Sequence, residues 1–376
     1  MGKKKVLFVT GTRADFGKIE PLARVAADDG HSVVFFITGM HMLERFGLTA
    51  LEVRRFEGAT CHEFINHRHG DPQDIILSKT VLGFSDWVNE EKPDLVIVHG
   101  DRVEALAAAL VCSINYIPCA HIEGGEVSGT IDEIYRHCNS KLCKYHFVSS
   151  ETARKRLLSL GEAPEQVYVI GSPEMDVHKA AQSVGIDEVL DHYDIPFSDY
   201  SVILFHPVTS EQDSMKQQAL ELFRNLRESG RHFVVIKPNN DPGSDDIMEA
   251  INGLPSDRFR IIPSMRFSYF STLMKHAGSI IGNSSLGVRE APFLGIPSLN
   301  IGTRQTNRAV APSVIHAAAD EDAKITEFLK SNWGKRYDPH TEYGDGNSAQ
   351  RFLSILNDEA FWNVPHQKVF YDGNAG

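Results

Sequence analysis

Two histidine-plus-carboxylate pairs occur in the first half of the chain, each after a short apolar run. The first pair is His99 and Asp101, and the second is His121 and Glu123. Residues two apart on an extended chain face the same side, so two adjacent strands would direct both pairs into one crevice. Asp132 follows a few residues later, at a predicted loop or helix start. The spacing therefore predicts a cluster of carboxylates with histidines beside it.

Three interpretations fit this acidic cluster. The carboxylates could hold a divalent metal ion, although the histidine spacing matches no familiar zinc-binding helix. One or two of them could cap helices or pair with Arg102 and Arg136, which would be a structural role. The third interpretation is acid-base catalysis, because crowded carboxylates in a desolvated cleft have raised pKa values, so one can donate a proton while another accepts one. We favour the third interpretation and assign no metal site, because structural roles would not account for every carboxylate.

A glycine-containing turn near the start of the chain is a candidate anion site. Residues 11–18 follow the first apolar run and precede a predicted helix, with Arg13 in the turn and Lys18 at its end. Main-chain amides at a helix N-terminus favour anions, and an arginine can bind a phosphate through two nitrogens. The alternative is an ordinary tight turn in which Arg13 pairs with a neighbouring carboxylate. Both interpretations fit these eight residues equally well.

The second half of the chain offers further groups for an anion. Ser284 and Ser285 precede a predicted helix, where they would form a phosphate cradle, although a serine there can also simply cap the helix. Glu290, farther along that helix, could accept hydrogen bonds from ribose hydroxyls. His206 and Arg304 follow two other apolar runs. A histidine and an arginine facing the carboxylates of the first half imply an anionic ligand that bridges two domains.

Apolar runs that alternate with amphipathic segments must position these residues. The alternation is typical of β-α-β units, and runs that are apolar on both faces indicate covered parallel strands. We predict an α/β fold of two doubly wound, Rossmann-like domains facing a central cleft: residues 1–170, with the carboxylate cluster, and residues 171–357. A tail of about 358–376 is expected to pack back on the first domain. The predicted strands are 6–10, 33–38, 95–99, 117–122, 145–149, 167–170, 202–205, 233–236, 259–262, 279–281 and 298–301.

Composition narrows the classes of partner and compartment. The 376 residues are 42% hydrophobic and 23% charged, as in ordinary globular proteins. A net charge of -12 gives no general attraction to nucleic acid or to a membrane, so we expect neither as a partner. The apolar run after the basic start is too short for a secretory leader, and the five cysteines form no Cys-x-x-Cys pair. We therefore expect a cytoplasmic protein with reduced thiols.

Seven motifs lie in a fixed order at the predicted strand ends: residues 11–15, 99–102, 121–126, 132–137, 206–209, 282–291 and 302–305. They closely resemble the motifs of the UDP-N-acetylglucosamine 2-epimerases, and most closely those of the hydrolysing branch that opens sialic acid synthesis. The resemblance extends from about residue 5 to 357. In the non-hydrolysing branch the first motif typically reads Gly-Thr-Arg-Pro-Glu, whereas Ala14 and Asp15 are present here, which favours hydrolysis. The family fold is GT-B-like, with a C-terminal helix returning to the first domain, for which residues 348–356 are a candidate.

The resemblance also implies a role for each candidate residue. We count His206 among the catalytic residues as well as among those that hold the diphosphate, because it would stabilise the departing group. The implied groups are, for the chemistry at the sugar, Asp101, Glu123 and Asp132; for the diphosphate, Arg13, His206, Ser284 and Ser285; for the nucleoside end, Glu290 and Arg304; and, lining the site, Lys18 and His99.

The implied reaction converts UDP-N-acetylglucosamine and water to N-acetylmannosamine and UDP. Anti elimination would give a 2-acetamidoglucal, and hydration would follow; no cofactor is expected, and we expect a homodimer or homotetramer. Within the family the alternatives are the same chemistry on a UDP-linked 2,4-diacetamido sugar or a GDP-linked sugar, and a non-hydrolysing 2-epimerase. A glycosyltransferase of the same fold and a sugar-nucleotide-binding protein without turnover are the alternatives outside it.

Overall fold

The computed structural model describes residues 2–44, 47–68, 70–128, 132–180, 184–238, 243–306, 308, 311–365 and 367–372. The chain divides into two compact units. Unit 1 consists of Met1–Glu126, Asp132–Lys179 and Glu342–Gly376, and unit 2 consists of Val127–Ile131 and Ala180–Thr341. Each unit contains one parallel sheet with helices packed on it, which confirms the predicted α/β class with two Rossmann-like domains.

Unit 1 is built on seven parallel strands: β1 (Lys5–Thr10), β2 (Ser32–Ile37), β3 (Ala59–Glu63), β4 (Leu95–His99), β5 (Cys119–Ile122), β6 (Tyr145–Val148) and β7 (Val167–Val169). Their order in the sheet is β3-β2-β1-β4-β5-β6-β7. The strand order reverses between β1 and β4, and ligands of such sheets bind beyond the carboxyl ends of the strands at this kind of switch point. The sequence pattern predicts six of these strands. It missed β3, because this edge strand is only partly buried and contains the polar residues His62 and Glu63.

Six helices lie between these strands in the described residues, and a seventh follows β7: α1 (Arg13–Asp28), α2 (Ala50–Arg54), α3 (Gln73–Glu91), α4 (Val103–Ile114), α5 (Asp132–Leu142), α6 (Glu151–Ser159) and α7 (Glu174–Lys179). The predicted apolar face of α1 is buried against the sheet, with Leu22, Ala23 and Ala26 at 0% exposure. Three cysteines, Cys112, Cys119 and Cys143, lie in the core on the other face, and all five cysteines are free. The sheet is therefore covered on both sides, as its apolar strands require.

Unit 2 is built on six parallel strands: β8 (Ser201–Leu204), β9 (Phe233–Ile236), β10 (Phe259–Ile262), β11 (Ile280–Gly282), β12 (Ser298–Ile301) and β13 (Val314–Ala317). Their order is β10-β9-β8-β11-β12-β13, which places a second switch point between β8 and β11. Five of these strands agree with the predicted runs. The sixth, β13, was missed, because it is a half-exposed edge strand with a histidine at its centre.

The helices of unit 2 are α8 (Ile186–His192), α9 (Gln212–Glu228), α10 (Ser244–Asn252), α11 (Phe267–His276), α12 (Leu286–Phe293) and α13 (Asp322–Ser331). The predicted apolar face of α9 is confirmed, since Met215, Ala219, Leu222 and Leu226 are 0% exposed. In the part of the chain that the structure describes, no helix is both long enough and apolar enough to cross a membrane.

The chain returns to unit 1 through α14 (Ser348–Leu356) and α15 (Glu359–Trp362). Phe352 and Phe361 are core residues of unit 1, and the Phe352 ring lies 5.0 Å from that of Phe147. Along the chain, unit 1 gives way to unit 2 at 179/180 and resumes at 341/342. The sequence pattern instead places the domain boundaries at 170/171 and 357/358. The difference arises because Asp176 of α7 accepts hydrogen bonds from the first residues of α14, which ties both segments to unit 1.

Candidate active site

Glu123 follows β5 in a conformation that side chains rarely adopt. Its φ is 65°, in the left-handed region, and only 3% of the residue is exposed. Two residues later Gly125 has a φ of 75°, and a Cβ there would lie 2.3 Å from the Ala153 oxygen. Strained backbone of this kind persists only where the surrounding structure fixes it, and it is concentrated at functional sites. The turn holds the Glu123 carboxylate at the end of the strand.

Three nitrogen-bearing side chains surround the Glu123 carboxylate. Lys18 Nζ, from α1, lies 3.1 Å from Oε1, and His99 Nε2, at the end of β4, lies 3.4 Å from Oε2. Arg136 Nη1, from α5, lies 3.7 Å from the same Oε2. A buried carboxylate is tolerated when opposite charges and hydrogen bonds replace its water, and this arrangement supplies both. The structure thus places Lys18 and His99 beside Glu123 in unit 1.

Arg136 joins this carboxylate to that of Asp101. Its Nη2 donates a hydrogen bond to Asp101 Oδ2, and its Nη1 donates one of 3.0 Å to the main-chain oxygen of Glu123. Asp132, the first residue of α5, lies one turn before Arg136 and is partly buried. The structure thus brings Asp101 and Glu123 together through one guanidinium group and places Asp132 on the helix that carries it. These contacts of Arg136 are the ion pairs that the structural interpretation of the cluster requires for one or two of its carboxylates.

His121 does not face the cluster, which corrects the expectation of two equivalent histidine-plus-carboxylate pairs. Its Nε2 donates a hydrogen bond of 2.7 Å to the Gly100 oxygen, so its Nδ1, 3.1 Å from Ser140 Oγ, accepts one. Burial lowers the pKa of His121 to about 3, and the imidazole is neutral at pH 7. The expectation failed because the left-handed backbone at Glu123 ends the extended alternation that would place both side chains on one side.

Ser172 and Glu174 also belong to the cluster, and sequence reasoning missed them. Ser172 Oγ lies 2.7 Å from Glu174 Oε2 and 3.3 Å from Glu123 Oε1, and Lys18 Nζ lies 3.5 Å from Glu174 Oε1. Both residues follow the predicted strand at 167–170. A carboxylate just after a strand end was the available signal, but the predicted domain boundary at 170/171 separates Ser172 and Glu174 from the other carboxylates of the cluster.

The turn between β1 and α1 satisfies its own amides. The Asp15 carboxylate accepts hydrogen bonds from the main-chain nitrogens of Gly11 at 2.9 Å and Thr12 at 3.1 Å, and Thr12 in turn caps α1. These two amides are therefore occupied in this structure. The Arg13 side chain lies 3.7 Å from Glu52 Oε1, the neighbouring carboxylate that the structural interpretation of this turn requires. Any anion binding here depends on the arginine side chain more than on the amides.

Asn283 ties together three strand ends of unit 2. Its side chain accepts a hydrogen bond of 2.7 Å from the His206 nitrogen and donates one of 2.7 Å to the His206 oxygen, which fixes the backbone after β8. Its main-chain oxygen accepts hydrogen bonds from Gln305 at 2.9 Å and Arg304 at 3.3 Å, both located after β12. Asn283 and Gln305 were not among the predicted site residues. A buried asparagine beside the switch point between β8 and β11 was the signal for the first of them.

Ser284 and Ser285 precede α12 as predicted. Ser285 is the N-terminal capping residue by position, but its side chain makes no capping hydrogen bond, and the Leu286 nitrogen is 3.5 Å from Ser284 Oγ. Side-chain capping is thus weak at this helix. The first amides and the two hydroxyls are groups of the kind that bind phosphate, because the helix dipole favours an anion at this end.

His206, Arg304 and Glu290 complete the predicted set in unit 2. Burial, with a smaller contribution from the positive charge of Arg304, lowers the pKa of His206 to about 3. The imidazole is therefore neutral at pH 7 and can offer a hydrogen bond to an anion rather than a charge. Arg304 is held by its hydrogen bond to the Asn283 oxygen, and Glu290, in the second turn of α12, is 4% exposed.

In the described structure, cationic side chains lie beside two carboxylates of unit 1, those of Asp101 and Glu123. Asp101 contacts Arg136, and Glu123 contacts both Arg136 and Lys18. Among the described residues, no three His, Cys, Asp or Glu side chains are grouped so that they could hold a metal ion. The geometry favours proton transfer, because carboxylates beside fixed cations and a histidine can exchange protons with a ligand.

Comparison with known proteins identifies the family. The family model described as UDP-N-acetylglucosamine 2-epimerase matches residues 23–357. The chain belongs to this family. The matched range includes most of unit 1, all of unit 2 and α14, so Arg13 and Lys18 lie before it and rest on the geometry given above.

Two relatives that align with nearly the whole chain are also named as 2-epimerases. A UDP-N-acetylglucosamine 2-epimerase of Neisseria meningitidis is 39% identical over 375 residues, which is 99% of this chain and 100% of the relative. A UDP-N,N'-diacetylbacillosamine 2-epimerase (hydrolyzing) of Legionella pneumophila is 31% identical and covers 99% of each chain.

Solved structures of epimerases share the fold. A UDP-GlcNAc 2-epimerase of Neisseria meningitidis, bound to UDP-GlcNAc, matches with a TM-score of 0.75 and 21% identity over 94% of this chain and 99% of that one. An S. aureus protein solved with UDP matches with a TM-score of 0.78 and 20% identity over 98% and 100%. At these identities the likeness establishes the GT-B-like two-domain fold of the family.

Proposed function

We propose that the protein is a hydrolysing UDP-N-acetylglucosamine 2-epimerase, which converts UDP-N-acetylglucosamine and water to N-acetylmannosamine and UDP. The observation that carries this proposal is the environment of Glu123. A buried carboxylate lies between Lys18, His99 and Arg136, and Arg136 also contacts Asp101. Proton removal from a sugar carbon and proton return to it need carboxylates that are shielded from water and held in position by neighbouring groups, as Glu123 is here.

In the first step a carboxylate of unit 1 removes the C2 proton while the bond between C1 and the UDP oxygen breaks. This anti elimination gives 2-acetamidoglucal. Water then adds at C1, and a proton returns to C2 from the opposite face, which inverts C2 and gives N-acetylmannosamine. The three carboxylates Asp101, Glu123 and Asp132 share the roles of base, acid and water activation.

Unit 2 is proposed to hold the nucleotide. The N-terminus of α12 with Ser284 and Ser285 would bind the diphosphate together with the neutral imidazole of His206, while Arg304 and Glu290 would hold the nucleoside end. Donors placed at a departing oxyanion contribute about 3 kcal/mol each to lowering the barrier. From unit 1, the Arg13 side chain would add a positive charge for the same anion.

Two observations support the hydrolysing branch. Ala14 and Asp15 replace the Pro-Glu of non-hydrolysing enzymes, and the structure gives Asp15 a specific task, since it binds the amides of the β1–α1 turn. In addition, relatives named as hydrolyzing, from Legionella pneumophila and Campylobacter jejuni, are 31% and 30% identical to this chain. Those two relatives are named for diacetylbacillosamine sugars, which makes such sugars the alternative substrates.

Isotope labelling tests the reaction. In D₂O enriched in H₂¹⁸O, the product from UDP-N-acetylglucosamine should be free N-acetylmannosamine with deuterium at C2 and ¹⁸O at C1. The released UDP should contain no ¹⁸O, because the bond that breaks is between C1 and oxygen. A sugar that stays on the nucleotide with deuterium at C2 would show a non-hydrolysing epimerase instead. A C2 that stays protonated and unepimerised would show a transferase or a simple hydrolase.

Parallel incubations with a UDP-linked 2,4-diacetamido sugar and with a GDP-linked N-acetylglucosamine test the substrate. If only one of these analogues turns over with the same labelling, then the mechanism holds and the choice of substrate is wrong. Binding of all three nucleotides without turnover would instead indicate a sugar-nucleotide-binding protein.

A further inference from the structure

Glu174 is a second buried carboxylate beside Glu123. It is the first residue of α7 and is 0% exposed, and Ser172 is 1% exposed. A carboxylate removed from water in this way requires compensation by cations or hydrogen-bond donors. Lys18 Nζ lies 3.1 Å from Glu123 Oε1 and 3.5 Å from Glu174 Oε1, so one ammonium group serves both carboxylates.

The Ser172 hydroxyl connects the two carboxylates. Its oxygen is 2.7 Å from Glu174 Oε2 and 3.3 Å from Glu123 Oε1. A hydroxyl has one hydrogen to donate, and the shorter distance assigns it to Glu174, so a lone pair of the oxygen faces Glu123. The Ser172 main chain is fixed by its hydrogen bond of 2.7 Å to the Tyr343 oxygen. A protonated Glu123 would therefore find an acceptor already in position.

The other charged groups around the pair come from five elements. Asp176 of α7 and Arg351 of α14 have partners outside the pair. Asp176 accepts hydrogen bonds from the start of α14, and Arg351 pairs with Asp345. The groups are Lys18 of α1, His99 of β4, Arg136 of α5, Asp176 and His178 of α7, and Arg351 of α14. Two adjacent carboxylates that share one lysine favour a state in which one of them takes up a proton.

We propose that Glu174 is a positioning residue that takes up a proton from Glu123 through the Ser172 hydroxyl and later returns it. In the forward step the proton of the Glu123 carboxyl forms an O–H bond with Ser172 Oγ, while the former Ser172 proton leaves and binds Glu174 Oε2. Glu123 becomes a carboxylate and Glu174 a carboxylic acid, and both the proton count and the charge are unchanged. The proposal rests on the proposed function, in which Glu123 exchanges a proton with the substrate.

Replacing Glu174 with glutamine keeps its size and removes its ability to take up a proton. We expect Glu174→Gln to lower kcat by about tenfold or more, with KM changed by less than about twofold, since Glu174 acts through other residues. The acidic limb of its pH–rate profile should move to lower pH, because losing a neighbouring negative charge makes Glu123 easier to ionise. Ser172→Ala should lower kcat by a similar factor and leave that limb in place, because no charge changes.

Two further variants separate proton transfer from structure. Ser172→Thr keeps a hydroxyl and should recover most of the kcat that Ser172→Ala loses. Asp176→Asn is the matched control, because it changes another carboxylate of α7 that caps α14. It should lower the melting temperature and leave kcat and the pH–rate profile unchanged.

Unchanged kcat and unchanged pH–rate profiles in both Glu174→Gln and Ser172→Ala would overturn the proposal. So would a Ser172→Thr enzyme as slow as Ser172→Ala. If Glu174→Gln fails to fold, the two Ser172 variants decide the question. All rates are measured as entry of solvent deuterium at C2 as well as release of free sugar. Exchange at C2 without release of free sugar would refute hydrolysis alone, and the relay would still be tested on the exchange rate. A wild-type enzyme without C2 exchange would refute both.

Discussion

The two units place their functional groups at the carboxyl ends of the same kind of parallel sheet, but the groups differ in kind. In unit 1 the strand ends carry buried carboxylates that contact cations, as Glu123 does with Lys18 and Arg136. In unit 2 the central group is a neutral amide, that of Asn283, which fixes the backbone around His206. Unit 1 thus holds paired charges at its strand ends, whereas unit 2 holds its main chain in place through a neutral side chain.

Under the proposed function, this difference lets one fold support two tasks. The switch points of the two sheets determine where a ligand can bind, and they are equivalent in the two units. The residue types at the strand ends determine the chemistry. Proton transfer tolerates buried charge because the charge is what reacts, whereas binding a nucleotide requires donors held in fixed positions. Changes at the carboxylates of unit 1 should therefore affect turnover, and changes at Glu290 and Arg304 of unit 2 should affect binding.

The largest expected effect concerns the carboxylates of unit 1. Glu123→Gln, Asp101→Asn and Asp132→Asn should each lower turnover by at least about a hundredfold, because each removes a group that transfers protons. UDP affinity, measured by calorimetry, should stay within about threefold of the wild type. Some of these variants should release 2-acetamidoglucal, which would show elimination continuing after hydration has failed. A Glu123→Gln enzyme with normal turnover would remove Glu123 from the mechanism and weaken the contrast between the units.

The second effect concerns stability in acid. Glu162 is 0% exposed in unit 1 and contacts His146 at 2.9 Å and Lys141 at 2.7 Å, with Lys368 beside it. Burial opposes its ionisation, but the hydrogen bond from His146 and the two ammonium groups hold the pKa of this carboxyl below its ordinary value. The stabilisation is therefore complete above the ordinary pKa of 4.5 and is lost as the pH falls toward the lower pKa of the folded state.

Tryptophan fluorescence can follow this loss in each unit. Trp87 and Trp362 belong to unit 1, and Trp333 belongs to unit 2. On acidification, a Trp333→Phe protein should report unfolding at a higher pH than a protein that keeps only Trp333. Glu162→Gln should lower the free energy of unfolding at pH 7 by about 3 kcal/mol, because it leaves the largely buried Lys368 ammonium group without its carboxylate. Equal midpoints for the two units would contradict the expectation that unit 1 is the acid-sensitive one.

A smaller effect is expected from unit 2. Arg304→Ala and Glu290→Ala should each weaken UDP binding by roughly 1–3 kcal/mol, as the loss of charge-assisted hydrogen bonds generally does. Isothermal calorimetry with UDP measures this directly, and turnover at saturating substrate should fall much less than in the carboxylate variants. Unchanged UDP affinity in both variants would show that the nucleotide does not bind at these strand ends.

No effect is expected from removing divalent metals. Activity should persist after exhaustive chelation, because Arg136 and Lys18 supply positive charge at the carboxylates and Arg13 supplies it for the diphosphate. Activity lost with EDTA and restored by Mn²⁺ or Mg²⁺ would make Asp101 and Glu123 metal ligands. The division between a proton-transferring unit and a binding unit would then need revision.

The fold was largely predictable because buried parallel strands leave a strong pattern in the sequence. Continuous apolar runs such as β1 and β4 were predicted within one or two residues of their observed bounds. The edge strands β3 and β13 were missed, because a strand covered on fewer sides does not need an apolar run. The return of α14 to unit 1 was a candidate from the family resemblance, but no local pattern shows which sheet a helix packs on.

The site was predictable where a carboxylate or cation directly follows a strand, as at Asp101 and Arg304. It was less predictable where backbone conformation decides which way a side chain points. The left-handed φ at Glu123 separates it from His121, and glutamate has no preference for that conformation that would reveal it. Glu174 was missed because its position depends on contacts that the sequence does not reveal. Lys18 is far from it along the chain, and Ser172, two residues before it, is part of no recognisable motif.

The packing of α14 and α15 on unit 1 also has a consequence for biosynthesis. Phe352 and Phe361 complete the core that β1 begins, so a ribosome must have synthesised the chain through Phe361 before that core can close. Unit 2 consists mainly of the uninterrupted stretch from 180 to 341 and has no such delay. Domains usually fold in the order of their synthesis. Here the unit that emerges first should be the last to close its core.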